Sequence, residues 1–238
     1  MDKYTYLNYN PDSDLDIRLH LIKDAGFDGV FLMYCDGEVF DDLVNKVKAI
    51  NLKIETFHLP FGLCNHLWID DDLGEEYLQE IIRGVKSAGR HSVKTVIMHT
   101  MSGKNPPHWN KLGLARIKLI LGVCEQENVI LALENVRDIK YSDYVLQNIK
   151  HPNLKMCFDF GHTQAFAYNI KDIDMNKYKG LITCLHIHDN HGDGDEHFLP
   201  FTGTIDYEYI VKQLKTIGYN GKEERVRPLP EDLPGHLQ

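Results

Sequence analysis

The stretch that decides the fold reads VILALENV (129–136), LKMCFDFGH (154–162) and LITCLHIH (181–188). Each piece is a short apolar, β-rich run that ends on an ionisable side chain: Glu134, Asp159, or His186 with His188. Runs of this length suit strands buried on both faces. Working outward, similar runs recur at 5–9, 29–34, 52–57 and 94–98, and the last two are followed directly by His58 and His99. Amphipathic stretches at 15–25, 39–50, 71–89, 109–127, 139–149 and 207–217 separate them. Strands alternating with helices imply βαβ units and a parallel sheet. Seven such strands make most of a (β/α)8 barrel, a fold that takes about 250 residues and keeps its chemistry at the carboxyl ends of its strands. An open doubly wound sheet is the alternative, but no GxGxxG follows the first strand.

The length of 238 residues fits one core, since cores keep growing to roughly 250 residues. No Pro/Gly/Ser-rich linker divides the chain, so a single domain over 1–238 is expected. The formal charge is −9, from 26 basic and 35 acidic residues, which argues against a nucleic-acid partner bound by counterion release. Five scattered cysteines without a CxxC pair do not suggest a disulfide framework. The N-terminus shows no basic region followed by an apolar stretch, and no run reaches the ~18 apolar residues of a membrane span. The expectation is a soluble, cytoplasmic protein without a membrane partner.

Five successive runs thus stop on a histidine or a carboxylate, and parallel strands bring all those ends to one rim. Taken singly, each has a plain structural reading: a strand-end histidine is usually just hydrogen-bonded, and Asp159 or Glu134 could cap the next helix. Jointly they favour one site. Imidazole with carboxylate suits Zn²⁺, Mn²⁺ or Fe²⁺, and buried carboxylates gathered together need a cation. His162 follows Asp159 by three residues, and the loop after His188 holds Asp195 and His197. Asn65 and Trp68, after the third run, are candidates for a substrate pocket. His188 and Asp189 are candidates for outer partners of the metal-binding imidazoles.

These motifs resemble the xylose isomerase-like TIM barrels, in particular the sugar phosphate isomerase/epimerase and endonuclease IV-like group. The resemblance runs from about the third strand to residue 220. It is most specific in LALENV (131–136), DFGH (159–162) and LHIHDN (185–190), the last followed by DEH (195–197) and LPFTGTID (199–206). In isomerases and epimerases of the group it implies one divalent metal (Mn, Zn, Mg or Co), with Glu134, Asp159 and His186 as ligands and a fourth from a strand-eight Glu. In endonuclease IV-like members it implies two or three zinc ions, adding His58, His99, His162, Asp195 and His197.

The sequence departs from the pattern at its end. After Gly218-Tyr219-Asn220-Gly221 comes KEERVRPLPEDLPGHLQ (222–238), an atypical tail with three prolines and no apolar run, and the Glu expected near position 226 is Val226. An incomplete last βα unit would leave edges on strands one and seven, to be covered by the tail or by another copy of the chain.

The leading function implied is a metal-dependent isomerase or epimerase of a sugar or sugar-like hydroxyketone, working through a metal-stabilised enediolate. Glu134 would be the base, and His188 or His58 would orient substrate hydroxyls. The alternatives are an endonuclease IV-like multi-zinc phosphodiesterase and a non-catalytic metal- or sugar-binding barrel.

Overall fold

The alternating pattern folds as eight parallel strands in sequential order, closed into a barrel. The computed structural model describes residues 3–9, 12–166 and 170–220 and the backbone of 222–225. Its strands are β1 (Lys3–Tyr6), β2 (Gly29–Met33), β3 (Lys53–His58), β4 (Thr95–His99), β5 (Ile130–Glu134), β6 (Leu154–Asp159), β7 (Ile182–Ile187) and β8 (Lys222–Arg225). The helices are α1 (Leu15–Asp24), α2 (Glu38–Ala49), α3 (Asp72–His91), α4 (Lys111–Glu127), α5 (Lys140–Asn148), α6 (Phe160–Ala165) and α7 (Tyr207–Thr216). The expected strands two to seven and six helices are found within a few residues. β1 lies earlier than expected, and the short α6 was not foreseen.

All the helices but α2 and α5 start where a side chain satisfies free first-turn N–H groups. Asp71 accepts from Gly74 N, Asn110 from Gly113 N and Asp206 from Tyr209 N. Ser92 and Asn128 end α3 and α4 in the left-handed conformation. The main core lies between the sheet and the helices, where Ile81, Val85, Ile117, Ile120 and Val145 are fully buried. A second, smaller cluster of Ile97, Ala132, Cys157 and Cys184 fills the barrel interior. Small residues suit this place, because eight strands enclose only room enough for side chains.

Of the two covers expected for the edges of β1 and β7, the structure has the first: residues 222–225 of the tail form β8, which pairs with β7 (Leu185↔Glu223) and with β1 (Tyr4↔Glu224). A ladder needs only backbone N–H and C=O groups, so a strand made of charged residues closes the barrel without an apolar signal. The reason for expecting a second copy over an open edge disappears with it. Val226 and the rest of the tail, 226–238, lie outside the described residues. No helix among the described residues is long and apolar enough to cross a membrane.

Candidate metal centre

The strand registers bring the polar ends together. His99 is paired with Glu134, and Asp159 with His186. Glu134 ends β5 at the centre of the group and is 1% exposed. His186 Nδ1 lies 2.7 Å from its Oε1, while His99 Nε2 and His58 Nε2 lie 2.7 and 3.1 Å from its Oε2. His58 directs its other nitrogen, Nδ1, to the Leu59 carbonyl at 3.0 Å, the backbone contact that commonly sets a ligating imidazole's orientation.

Asp159 does two jobs. One carboxylate oxygen caps α6 by accepting from His162 N at 2.6 Å. The other, Oδ2, is buried without a hydrogen-bond partner. The capping reading of Asp159 is therefore true, and it leaves an oxygen aimed at the site.

A further group forms behind it. His162 Nε2 is 3.4 Å from Asp195 Oδ2, His188 Nε2 is 3.6 Å from Asp195 Oδ1, and His197 Nδ1 is 3.2 Å from the same oxygen. The rings of His188 and His197 stack at 4.1 Å, 4° from parallel. The loop carrying Asp195 and His197 is held by Asp189, whose carboxylate accepts from the backbone N–H groups of Asn190, Phe201 and Ile205. Asn190 adds a bond from Nδ2 to the Gly161 carbonyl at 2.8 Å. The expected role of Asp189 is thus corrected: it braces backbone, not an imidazole.

Three groups can each hold an ion: Glu134, Asp159 and His186; His58, His99 and Glu134; His162, His188, Asp195 and His197. Within each group the ligand atoms lie within 4.8 Å of one another. Ligands about 2.1 Å from a tetrahedral ion stand roughly 3.4 Å apart, so an ion would draw each group inward. The donor chemistry fits too. His99 Nδ1 and His188 Nδ1, like Asp159 Oδ2, are buried without a hydrogen-bond partner, which costs free energy unless something binds there; His188 Nε2 lies 3.1 Å from Asp159 Oδ1.

The electrostatics prepare the carboxylates for a cation. Burial alone would raise the pKa of Glu134, but the imidazoles of His186 and His99 hold it well below the ordinary value. Asp159 is likewise driven down, as His162 and His188 outweigh its burial. Burial keeps His99 below the usual imidazole value. His162 goes the other way: burial is outweighed by Asp159 and Asp195, and its pKa is pushed up to about 10. Without metal, His162 therefore holds a proton at neutral pH, and that proton stabilises the fold below the unfolded imidazole value, losing its effect as pH rises through about 10. A cation bound by His162 must displace it. Calorimetric zinc titration in buffers of different ionisation enthalpy is expected to show about one proton released at pH 7, with affinity rising about tenfold per pH unit. Proton-free, pH-independent uptake would contradict this.

Above these groups lies a cavity of about 430 Å³, bordered by Glu134, Asp159, His186, His58, His99, His162, Asp195 and His197. Its other walls include Tyr6, Phe31, Phe61, Arg137 and Phe166, which the sequence did not reveal. Phe31 stacks on His186 at 5.4 Å and Phe61 on His99 at 4.6 Å.

Two expected substrate contacts are corrected. Asn65 bonds the Ser102 backbone in both directions, at 3.0 and 2.9 Å, and pins the loop after β4. Trp68 is 3% exposed and donates to the Thr100 carbonyl at 2.6 Å. It packs so tightly on Gly113 that a Cβ there would lie 2.1 Å from its ring. Neither residue borders the cavity. Nor does His188, which is fully buried behind it, so orienting substrate hydroxyls is not open to it.

The sequence profile of the xylose isomerase-like TIM barrel family matches residues 19–222. An uncharacterised protein of Methanocaldococcus jannaschii is 23% identical over 180 residues, 69% of this chain and 61% of its own, so the match spans under two thirds of that relative. Hydroxypyruvate isomerase of Escherichia coli is 21% identical over 229 residues, covering 87% of this chain and 85% of the enzyme. Among solved structures, a D-tagatose 3-epimerase-like protein is similar with a TM-score of 0.80 at 20% identity, covering 96% and 92% of the two chains. The IolI protein with a bound zinc atom gives 0.77 at 19% identity, covering 96% and 90%. At these identities the structural likeness is one of fold. With the profile matched over most of its length, the chain belongs to the xylose isomerase-like TIM barrel family.

Proposed function

We propose that this protein is a divalent-metal-dependent isomerase or epimerase of a small sugar or sugar-like hydroxyketone. The observation that carries the reading is the Glu134, Asp159 and His186 group at the side of a 430 Å³ aromatic-walled cavity. That volume is at the lower end for small-molecule sites, roughly 300–1,000 Å³, and suits one sugar rather than a duplex. The named relatives hydroxypyruvate isomerase and D-tagatose 3-epimerase-like protein point to the same substrate class.

When bound, a divalent ion supplies Lewis-acid polarisation of a carbonyl and its neighbouring hydroxyl. Glu134 stays ionised at neutral pH under its imidazole partners and is the carboxylate that would accept the α-carbon proton. Tyr6, Phe31, Phe61 and Phe166 exclude water from the sugar's faces. Epimerisation needs a second acid–base group. The resemblance places that group on strand eight, where the backbone of Glu224 stands at the register position of His186.

A second reading has its own observation: the groups around His58 and His162 are complete as well, which suits clustered zinc activating water against a phosphodiester. Metal content per chain and deuterium uptake from D₂O at the α-carbon of a ketose panel separate the two. The isomerase reading expects carbon-bound deuterium, with an ion at the Glu134, Asp159 and His186 group. Two or three zinc ions with cleavage of bis(p-nitrophenyl) phosphate and no deuterium uptake would overturn it. Neither activity in metal-loaded protein would leave a non-catalytic barrel.

A further inference from the structure

Asn135, next to the central Glu134, belongs to none of the three metal-capable groups, yet its side chain is buried among them. We propose that Asn135 is a positioning residue: its carboxamide holds the Asp159 backbone and its carbonyl holds the His162 ring. One residue thereby keeps the Glu134, Asp159 and His186 group in register with the group around His162. The inference rests on the metal centre described above and not on the chemistry performed there.

The sheet leaves a gap at this place. β5 pairs with β6 as far as Glu134↔Cys157, whereas β6 runs on beside β7 to Asp159↔His186. Asp159 therefore stands two residues past the last ladder pair on its β5 side. A buried backbone N–H and C=O must each find a partner, and a carboxamide offers the same two groups as a peptide unit. Asn135 supplies them: its Oδ1 accepts from Asp159 N at 2.7 Å, and its Nδ2 donates to the Asp159 carbonyl at 2.8 Å. Thr163 closes the clamp, its hydroxyl donating to the same carbonyl at 2.9 Å and accepting from Asn135 Nδ2 at 3.3 Å.

The second hold is on His162. Its Nδ1 lies 3.0 Å from the Asn135 carbonyl, nearer than to the carboxylates of Glu134 and Asp159 at 3.5 and 3.7 Å. A carbonyl only accepts, so Nδ1 carries a hydrogen and Nε2 is the nitrogen left to offer a lone pair to a cation. Nε2 faces Asp195 at 3.4 Å, in the group with His188 and His197. The Asp159 carboxylate joins the two holds: Oδ1 accepts from His162 N, and Oδ2 is the unpartnered oxygen aimed at the site. A shift of residue 135 against residue 159 thus moves a ligand in each of two groups. Among the described residues Asn135 makes no bond to His58 or His99, so the third group is left alone.

The test is zinc affinity, measured by competition with a chromophoric chelator, beside the melting temperature of the chelated protein. Asn135→Ala is expected to lose about 10–100-fold in affinity for zinc bound through Asp159 and His162, the usual effect of removing an outer partner of a metal ligand. The loss should be the same in a His58→Ala background, where the group that Asn135 does not touch is broken. A residue that only satisfied buried backbone would lower the melting temperature and leave the affinity of the folded protein unchanged. Thr163→Val removes one hydroxyl of the clamp and serves where Asn135→Ala does not fold. It should lose affinity several-fold, and Thr163→Ser, which keeps the hydroxyl, should retain the parent's value. The proposal is overturned by parent-like zinc affinity in folded Asn135→Ala, or in Thr163→Val if Asn135→Ala does not fold. It is overturned equally by a loss that vanishes in the His58→Ala background, or by a Thr163→Ser that fares no better than Thr163→Val. The expected zinc effects without deuterium uptake into any ketose would sink the isomerase reading alone, whereas a parent that takes up no zinc would overturn the proposal together with the metal centre.

Discussion

Glu134→Gln is expected to give a folded protein that has lost at least one metal ion per chain and about 10²–10⁴-fold of its ketose isomerisation. The reason lies in what surrounds the side chain. Both of its oxygens are taken up by imidazoles, Oε1 by His186 and Oε2 by His99 and His58, and it belongs to two of the three metal-capable groups. Glutamine has the same shape but no charge. Its amide nitrogen can only donate, so one end of it no longer accepts from the imidazole beside it.

The pH dependence of stability should change with it. A buried carboxylate whose pKa is held down adds stability above its unfolded value and loses it as pH falls. In the parent, that loss accompanies protonation of Glu134; in Glu134→Gln this part of the acid-side decline is gone. Metal analysis, with thermal melts of chelated protein from pH 7 down to pH 2, checks both halves. Retention of full metal content and turnover would remove Glu134 from the centre of the mechanism.

The site was readable from sequence where a strand fixed it. His58, His99, Glu134 and Asp159 each end a parallel strand and His186 stands one residue short of the end of another, so their meeting follows once the strands are recognised. His162, Asp195 and His197 lie off the strands: their spacing marks them as candidates, and only the resemblance makes them ligands. What could not be read was whatever depends on tertiary placement. Asn65 and Trp68 have the right chemistry for a pocket, yet they are spent on a carbonyl and on a helix glycine. The aromatic walls come from β1, β2 and the segments after β3 and α6, and in sequence each looks like ordinary core. β8 was invisible for a different reason: Lys-Glu-Glu-Arg carries no apolar pattern, and its place is set by the backbone bonds that β1 and β7 leave open. The six-residue α6 was hidden because it begins on the very aspartate that reads as a ligand.

The short DFGH segment also leads to the second large effect, at Gly161. A Cβ built on Gly161 would lie 1.9 Å from His188 Cε1 and 2.1 Å from its Nε2. Neither side can give way easily. The glycine's own carbonyl is tied to Asn190 Nδ2, and the helix start is fixed by the Asp159 cap. His188 is fully buried with His197 stacked on its ring at 4.1 Å. Gly161→Ala must therefore push His188 out of line with Asp195 and separate it from His162. Overpacking of this kind costs about 1–3 kcal/mol, which for a chain of this size lowers Tm by roughly 2–12 °C.

The metal content should fall by any ion held among His162, His188, Asp195 and His197, while an ion at Glu134, Asp159 and His186 remains. The double variant Gly161→Ala/His188→Ala separates crowding from loss of a ligand. Removing the ring makes room for the new methyl group, so its Tm should lie above the sum of the two single effects, although the lost ion does not return. If Gly161→Ala alone melts with the parent and binds the same metal, the close contact between DFGH and LHIHDN does not hold the centre in shape.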